Sequence, residues 1–152
     1  MKLFYHTHHT GLYKGSTLIS VAFIAENGVY FYAELSDYDK SQVNDWILQN
    51  VIGNLKYVNE SKPKCILEPI LFGIRSVEVV GTKLDVRYLF FQWLEQFGED
   101  VKVEWVGDVT HYSFVHIVDL LFDNGLNIPI DRFCMATHDI NQDLAFYTTD
   151  EI

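Results

Sequence analysis

Two apolar runs joined by a tight-turn signal constrain the fold of this chain more than any other feature. Residues 17–25 and 29–35 are almost wholly apolar, and Asn27-Gly28 separates them. Asn-Gly favours the positive φ angles of a two-residue hairpin turn. The preceding residues 2–8 alternate in the way a strand does. The sequence therefore predicts an antiparallel meander of three strands, with a central strand that is buried on both faces.

Helical and strand-like segments alternate in the rest of the sequence. Residues 58–80 contain two prolines and a glycine without a sustained period, which predicts a long excursion with at most one short strand or helical turn. Thr82 and Asp85 form a capping-box pattern at the start of a buried helix. The predicted elements after the meander are helices over 39–55, 82–97, 111–123 and 139–146 and strands over 101–106 and 133–137. This order indicates a mixed α/β architecture in which helices cover a mixed sheet, within a single domain over residues 1–152.

The composition favours a globular protein without a membrane partner. Hydrophobic residues make up 49% of the chain, which suffices for a core without disulfide or metal staples. No apolar run reaches the roughly 18 residues of a spanning helix, and the N-terminus lacks a signal-peptide pattern. Cys65 and Cys134 stand apart in apolar runs, which predicts two buried free thiols. The expected location is cytoplasmic.

The formal net charge of −10 limits the kinds of partner that the chain can bind. Sequence-independent affinity for nucleic acid comes from Lys and Arg side chains that displace counterions, so a basic-groove binder is disfavoured. A nuclease that binds only a strand end is compatible with this charge, because bound divalent cations supply positive charge of their own.

Histidines are concentrated at the end of the first predicted strand. Side chains alternate across a strand, so His6 and His8 share one face and His9 points to the other. Two imidazoles on one face are compatible with a metal site, and they are also compatible with neutral, hydrogen-bonded histidines in a partly closed cleft.

Several segments together resemble the RNase T-like 3′-to-5′ exoribonuclease family, within the DEDD exonuclease superfamily. The stretch His6-Thr-His-His-Thr-Gly-Leu12 is similar to that family's Asp-Thr-Glu-Phe-Thr-Gly-Leu. The other similar segments are residues 18–21, 31–34, 37–43 and 105–112, so the resemblance covers most of the chain. It implies a ribonuclease H-like fold, in which a three-stranded meander is followed by alternating helices and strands.

The resemblance also implies where a hydrolytic site would lie. In that superfamily four carboxylates hold two divalent metals, which activate a water and stabilise the leaving oxygen. The first two would fall at His6 and His8 and the third at Ser113, so all three are substituted here. The fourth belongs to a later His-x-Ala-Leu-x-Asp helix, and the domain is expected to lack that final family helix. The residues expected to contact substrate are Thr10, Gly11, Leu12 and Tyr112.

Three functional hypotheses stay open. The first is a 3′-to-5′ exoribonuclease-like protein with a degenerate two-metal site, inactive or strongly impaired in phosphodiester hydrolysis. Such a protein would retain binding to a single-stranded RNA or DNA end, or to a nucleotide. The second is an active nuclease or phosphodiesterase with a histidine-rich transition-metal site. The third is a protein-interaction module on an inherited exonuclease scaffold, and a homo-oligomer is compatible with each.

The second hypothesis depends on His116, which follows Ser113 by three residues on the same predicted helix. His6, His8 and His116 would converge as three ligands with an open position. Asp108 would be a substitute ligand. Imidazole suits zinc or manganese rather than magnesium, because magnesium prefers oxygen ligands.

Overall fold

The computed structural model describes residues 1–58, 60, 62–71, 73–123 and 127–141. These residues form a seven-stranded mixed sheet and three α-helices. The elements in chain order are β1 (Lys2–His9), β2 (Leu18–Ala25), β3 (Tyr30–Leu35), α1 (Asp45–Asn50), β4 (Lys64–Leu71), β5 (Ile74–Gly81), α2 (Lys83–Glu95), β6 (Val103–Gly107), α3 (Thr110–Phe122) and β7 (Phe133–Asp139). The strand order in the sheet is β4-β5-β3-β2-β1-β6-β7. The α/β class is confirmed.

The predicted meander is present. β1 and β2 are antiparallel, as are β2 and β3. At the turn, the Val29 backbone N–H donates to Asn27 Oδ1 at 3.0 Å, and Gly28 has a φ of 85°. β2 is buried on both faces only in its first half, since Ser20 is buried but Ile24 is 47% exposed.

Helices α2 and α3 cover one face of the sheet and enclose the main core. The largest side chains buried there are aromatic, and each removes a large apolar area from water: Phe23, Phe31, Phe90, Trp93 and Trp105. On the opposite face, the described residues form a smaller cluster in which α1 and the 3₁₀ turn Ile52–Asn54 pack against Ile19. Much of that second face stays open in the described part of the chain.

The irregular excursion predicted over 58–80 is wrong, because this segment contains the β4–β5 hairpin. β5 pairs in parallel with β3, and β4 lies at the edge of the sheet. Proline is tolerated at such an edge, where its missing N–H removes no ladder bond. Pro69 therefore lies within β4 although prolines made the segment look irregular.

The single helix predicted over 39–55 is also wrong. Asp39 caps the 3₁₀ turn Lys40–Gln42, and Asn44 then caps α1 by accepting a hydrogen bond from the Ile47 N–H at 2.9 Å. Two capping residues so close together start two short elements in place of one long helix. Trp46, which the periodicity placed on the apolar stripe, is 66% exposed.

The later elements agree more closely with the predictions from the sequence. α2 begins with the expected capping box of Thr82 and Asp85. β7 extends to Asp139, so this residue ends a strand and does not begin a helix, and residues 142–146 of the predicted helix lie outside the described residues. Cys65 and Cys134 are free but exposed, which corrects the expected burial. Within the described ranges, no helix has both the length and the apolar character needed to cross a membrane.

Candidate functional site

The carboxyl ends of three parallel strands meet at one edge of the sheet. β1 is parallel to β6, and β6 is parallel to β7. After β1 the chain turns back to β2, whereas after β6 it continues through α3 to β7 on the other side. In open α/β sheets, ligands usually bind outside the carboxyl ends of the strands where the strand order reverses in this way. A ligand site is therefore expected in the crevice beside β1 and β6.

A cleft of about 610 Å³ lies there between the loop after β1 and the outer surface of α3. Its volume falls in the range of small-molecule sites, which is roughly 300–1,000 Å³. Tyr13 and Tyr112 both line this cleft and are 49% and 44% exposed. Lys14 and His111 contribute polar groups to the same cleft. This site is called the tyrosine cleft below.

The loop that carries Tyr13 is held by hydrogen bonds at its base. The Thr10 N–H donates to the Thr17 carbonyl at 2.9 Å, and the Thr17 N–H donates back to Thr10 Oγ1 at 2.8 Å. Gln42 joins them, since Thr10 Oγ1 donates to its side-chain oxygen at 2.5 Å. Gly11 lies under the Tyr13 ring, because a Cβ there would be 2.2 Å from Tyr13 Cε1. Thr10 and Gly11 thus shape the loop, while Leu12 is 67% exposed.

His116 lines the tyrosine cleft and stacks on His9. The rings of His9 and His116 are 4.8 Å apart with an interplanar angle of 24°. His9 Nδ1 donates to the Gly11 carbonyl at 2.8 Å, and His116 Nε2 lies 3.1 Å from Ser16 Oγ. Burial and the neighbouring His9 lower the pKa of His116 to about 4, against the opposing effect of Asp119. Burial also lowers the pKa of His9, so both rings are neutral at neutral pH.

His6 and His8 lie on the opposite face of the sheet. Their rings are 4.8 Å apart in an edge-to-face arrangement. They line a small pocket of about 120 Å³ with Tyr32 of β3 and with Asn50 and Asn54. Burial lowers the pKa of His8, and the neighbouring His6 and His9 lower it further. The shared face that alternation predicted for His6 and His8 is confirmed.

Ser113 and Asp108 are both used locally. The Ser113 side chain is buried, and its hydroxyl donates to the Val109 carbonyl at 3.2 Å. Asp108 accepts a hydrogen bond from the Asn141 side chain. Neither residue points into a common site with His6 or His8, which lie across the sheet.

Asp139 is a further acidic residue of this region, and it lies beside the start of α3. Its carboxylate is 7% exposed and accepts from the Asn141 N–H at 2.9 Å and from the Thr110 N–H at 3.1 Å. These hydrogen bonds lower the pKa of Asp139. Because Thr110 opens α3, the carboxylate occupies the positive end of the helix dipole. The sequence predicted a helix that starts at Asp139, whereas the structure places this residue at the end of β7, beside the start of α3.

The structure does not bring the predicted metal ligands together. His116 contacts His9 on the α3 side, and His6 and His8 lie on the other side of the sheet. Among the described residues, no three His, Cys, Asp or Glu side chains are grouped closely enough to hold a metal ion. His6 and His8 alone offer one ligand fewer than the three protein ligands of a typical catalytic zinc. Binding of zinc or manganese stays a prediction.

The comparisons with known proteins add no identity. No protein-family model matches the chain, and no curated protein matches it significantly.

Acidification is expected to destabilise the protein partly through His116. Its pKa is 6.5 in the unfolded chain and about 4 in the fold, so the stabilisation is present above pH 6.5 and is lost as the pH falls through about 4. After allowance for partial solvent exposure, the loss is about 2 kcal/mol. Urea denaturation at pH 7 and pH 4 should show a smaller difference for His116→Gln than for the wild type. Equal differences would contradict the prediction.

Proposed function

We propose that this chain is a ribonuclease H-like module related to the DEDD exonucleases, with a degenerate hydrolytic site, which binds the end of a single-stranded nucleic acid or a nucleotide in the tyrosine cleft. The observation that carries the proposal is the pair of half-exposed rings, Tyr13 and Tyr112, at the carboxyl ends of β1 and β6. Tyr112 is also one of the positions that the family resemblance assigns to substrate.

The order of the elements supports the ribonuclease H-like part of the proposal. The antiparallel meander β1–β3 is followed by α2, β6, α3 and β7, with β1, β6 and β7 parallel. This is the arrangement that the resemblance implies: a meander, then alternating helices and strands. The β4–β5 hairpin extends the sheet beyond β3 and leaves that order intact.

The chemistry of three positions supports the loss of hydrolysis. Two-metal hydrolysis needs oxygen ligands that hold and neutralise hard cations. His6 and His8 offer imidazole nitrogens on the open face of the sheet. The Ser113 hydroxyl donates its hydrogen bond to the Val109 carbonyl. These three positions therefore offer no carboxylate oxygens with which to hold a pair of magnesium ions as the family mechanism requires.

The chemistry of the tyrosine cleft supports binding of a short ligand. Nucleobases stack on aromatic rings with little dependence on sequence, at roughly 1–3 kcal/mol per base. Lys14 can meet one phosphate, but the net charge of −10 repels a long polyanion. The expected ligand is therefore the last few nucleotides of a strand, and its affinity should depend only weakly on salt.

Fluorescence anisotropy with short labelled RNA and DNA strands tests the binding. Tyr13→Ala and Tyr112→Ala are expected to weaken binding roughly ten-fold each, since each removes one stacking platform. Tyr88→Ala is the matched control, because Tyr88 is an exposed helical tyrosine on α2 that does not line the cleft. Undiminished binding by both cleft variants would refute this site.

Incubation of unlabelled strands with magnesium, manganese or zinc tests the hydrolysis. No shortening of the strands is expected with magnesium. Robust hydrolysis with magnesium would contradict the degenerate site. Hydrolysis that occurs only with zinc or manganese, and that disappears in His8→Ala, would support the transition-metal alternative.

A further inference from the structure

The outer edge of β4 is an unpaired strand edge in the described part of the chain. β4 is the first strand in the sheet order and pairs only with β5. Its apolar side chains are unusually open: Leu67 is 58% exposed, Ile70 62% and Leu71 52%. An edge of this kind presents a row of backbone N–H and C=O groups that can pair with another strand.

The sequence of this edge is complementary to itself. The strand reads Pro63-Lys-Cys-Ile-Leu-Glu-Pro69, with opposite charges at the two ends of a five-residue window. If two copies align antiparallel about Ile66, Lys64 of each faces Glu68 of the other. Opposite charges directly across an antiparallel pair stabilise it, and like charges destabilise it.

The prolines fix the register of such a pairing. With Ile66 at the centre, Pro63 of one copy faces Pro69 of the other, outside the window at both ends. Proline has no N–H to donate, so neither proline removes a hydrogen bond within the window. A shift in either direction would place a proline opposite a residue of the window and would separate Lys64 from Glu68.

We propose that two copies of this chain associate through β4, antiparallel and centred on Ile66, to form one continuous sheet with a two-fold axis. Each copy uses the same patch, as the closed symmetry of a dimer requires. Lys64 now pairs with Glu60 at 3.0 Å, but both side chains are well exposed, so the exchange of partner costs little.

The other described edge of the sheet does not offer the same complementarity. β7 reads Phe-Cys-Met-Ala-Thr-His-Asp, and its one acid, Asp139, is buried against the start of α3. No pair of opposite charges brackets a self-complementary window there. Of the two described edges, β4 is therefore the one that suits a dimer contact.

Sedimentation velocity over a wide concentration range tests the dimer by charge reversal. The wild type is expected to show a reversible dimer, and Glu68→Lys is expected to shift it to monomer, because lysines then face each other. Lys64→Glu should act likewise. The double variant Lys64→Glu/Glu68→Lys restores opposite charges across the axis and should restore the dimer. Each substitution is at a solvent-accessible position of β4, and far-UV circular dichroism checks that the variants fold.

Two results would overturn the proposal: a wild type that is monomeric at every concentration, or a double variant that stays as monomeric as the single ones. Disulfide trapping tests the register itself. In a background with Cys65→Ala and Cys134→Ala, Ile66→Cys should form a cross-linked dimer on mild oxidation, because position 66 faces itself across the axis. Ile70→Cys in the same background is the matched control and should not cross-link. Equal cross-linking of the two would refute the centre at Ile66.

Discussion

Replacement of Glu34 by leucine is expected to lower the free energy of unfolding by about 3 kcal/mol, because it leaves buried hydrogen-bond donors without an acceptor. Glu34 lies on β3 at 3% exposure. It accepts from the Lys56 N–H at 2.6 Å, the Tyr57 N–H at 3.0 Å and the Tyr32 hydroxyl at 2.7 Å. Leucine has a similar size, so the effect comes from the lost acceptors and not from a cavity.

Glu78 extends this cluster on the neighbouring strand β5. It accepts from the Tyr30 hydroxyl at 3.0 Å and from Lys56 Nζ at 2.7 Å, and the Tyr57 hydroxyl also donates to it. Burial raises the pKa of Glu78, but these hydrogen bonds outweigh burial and lower it below the ordinary value. Burial and the hydrogen bond to Glu78 raise the pKa of Tyr30 to about 12. The two carboxylates together hold residues 56 and 57 against the sheet.

Urea denaturation of Glu34→Leu beside Glu104→Leu measures the effect. Glu104 lies on β6 and is exposed, so its replacement changes the same side chain without a buried acceptor. Glu34→Gln keeps one carbonyl oxygen and should fall between the wild type and Glu34→Leu, at about 1–2 kcal/mol. If Glu34→Leu and Glu104→Leu are equally stable, the donors of Lys56 and Tyr57 have found other partners.

The parts of the fold that sequence reasoning predicted are those with a local cause. Asn27-Gly28 sets a turn by its own backbone preference, and Thr82 with Asp85 caps α2 within four residues. The β4–β5 hairpin could not be predicted in the same way. Pro69 lowers the propensity for a strand in any sequence window, and it is accepted here because β4 is at the edge of the sheet and its register shifts between Leu67 and Ile70. That position depends on tertiary structure.

In the candidate site, too, the features with a local cause could be predicted, and those that depend on tertiary packing could not. Strand alternation placed His6 and His8 on one face and His9 on the other, and the structure agrees. Which of those faces receives α3 is a matter of packing between distant segments. His116 therefore contacts His9, and not the His6 and His8 pair that was expected to share a metal with it. The alternation within β1 would be the same if α3 packed on the opposite face of the sheet, so the sequence of β1 alone could not predict this contact.

Gly107→Ala is expected to cost about 3 kcal/mol of stability, because the new methyl group would overlap a buried ring. A Cβ at Gly107, the last residue of β6, would lie 2.6 Å from Tyr5 Cζ. The Tyr5 ring is 5% exposed, donates or accepts a hydrogen bond with Thr137 Oγ1 at 2.8 Å and packs beside Phe114. The ring could shift away only by losing these contacts. Backbone strain contributes nothing, since Gly107 does not have a positive φ.

A double-mutant cycle with Tyr5→Ala separates overlap from other causes of this loss. Tyr5→Ala alone should destabilise the protein, because it empties a large buried volume. In that background the further cost of Gly107→Ala should fall to a small fraction of its cost in the wild type, since the overlapping ring is gone. Undiminished cost would mean that the residue after β6 must be glycine for a reason other than Tyr5. If the cost of Gly107→Ala falls in this way, the Tyr5 ring is the group that requires glycine at the end of β6. The same ring then helps to position β6 beside α3, the helix that carries Tyr112 and His116 of the tyrosine cleft.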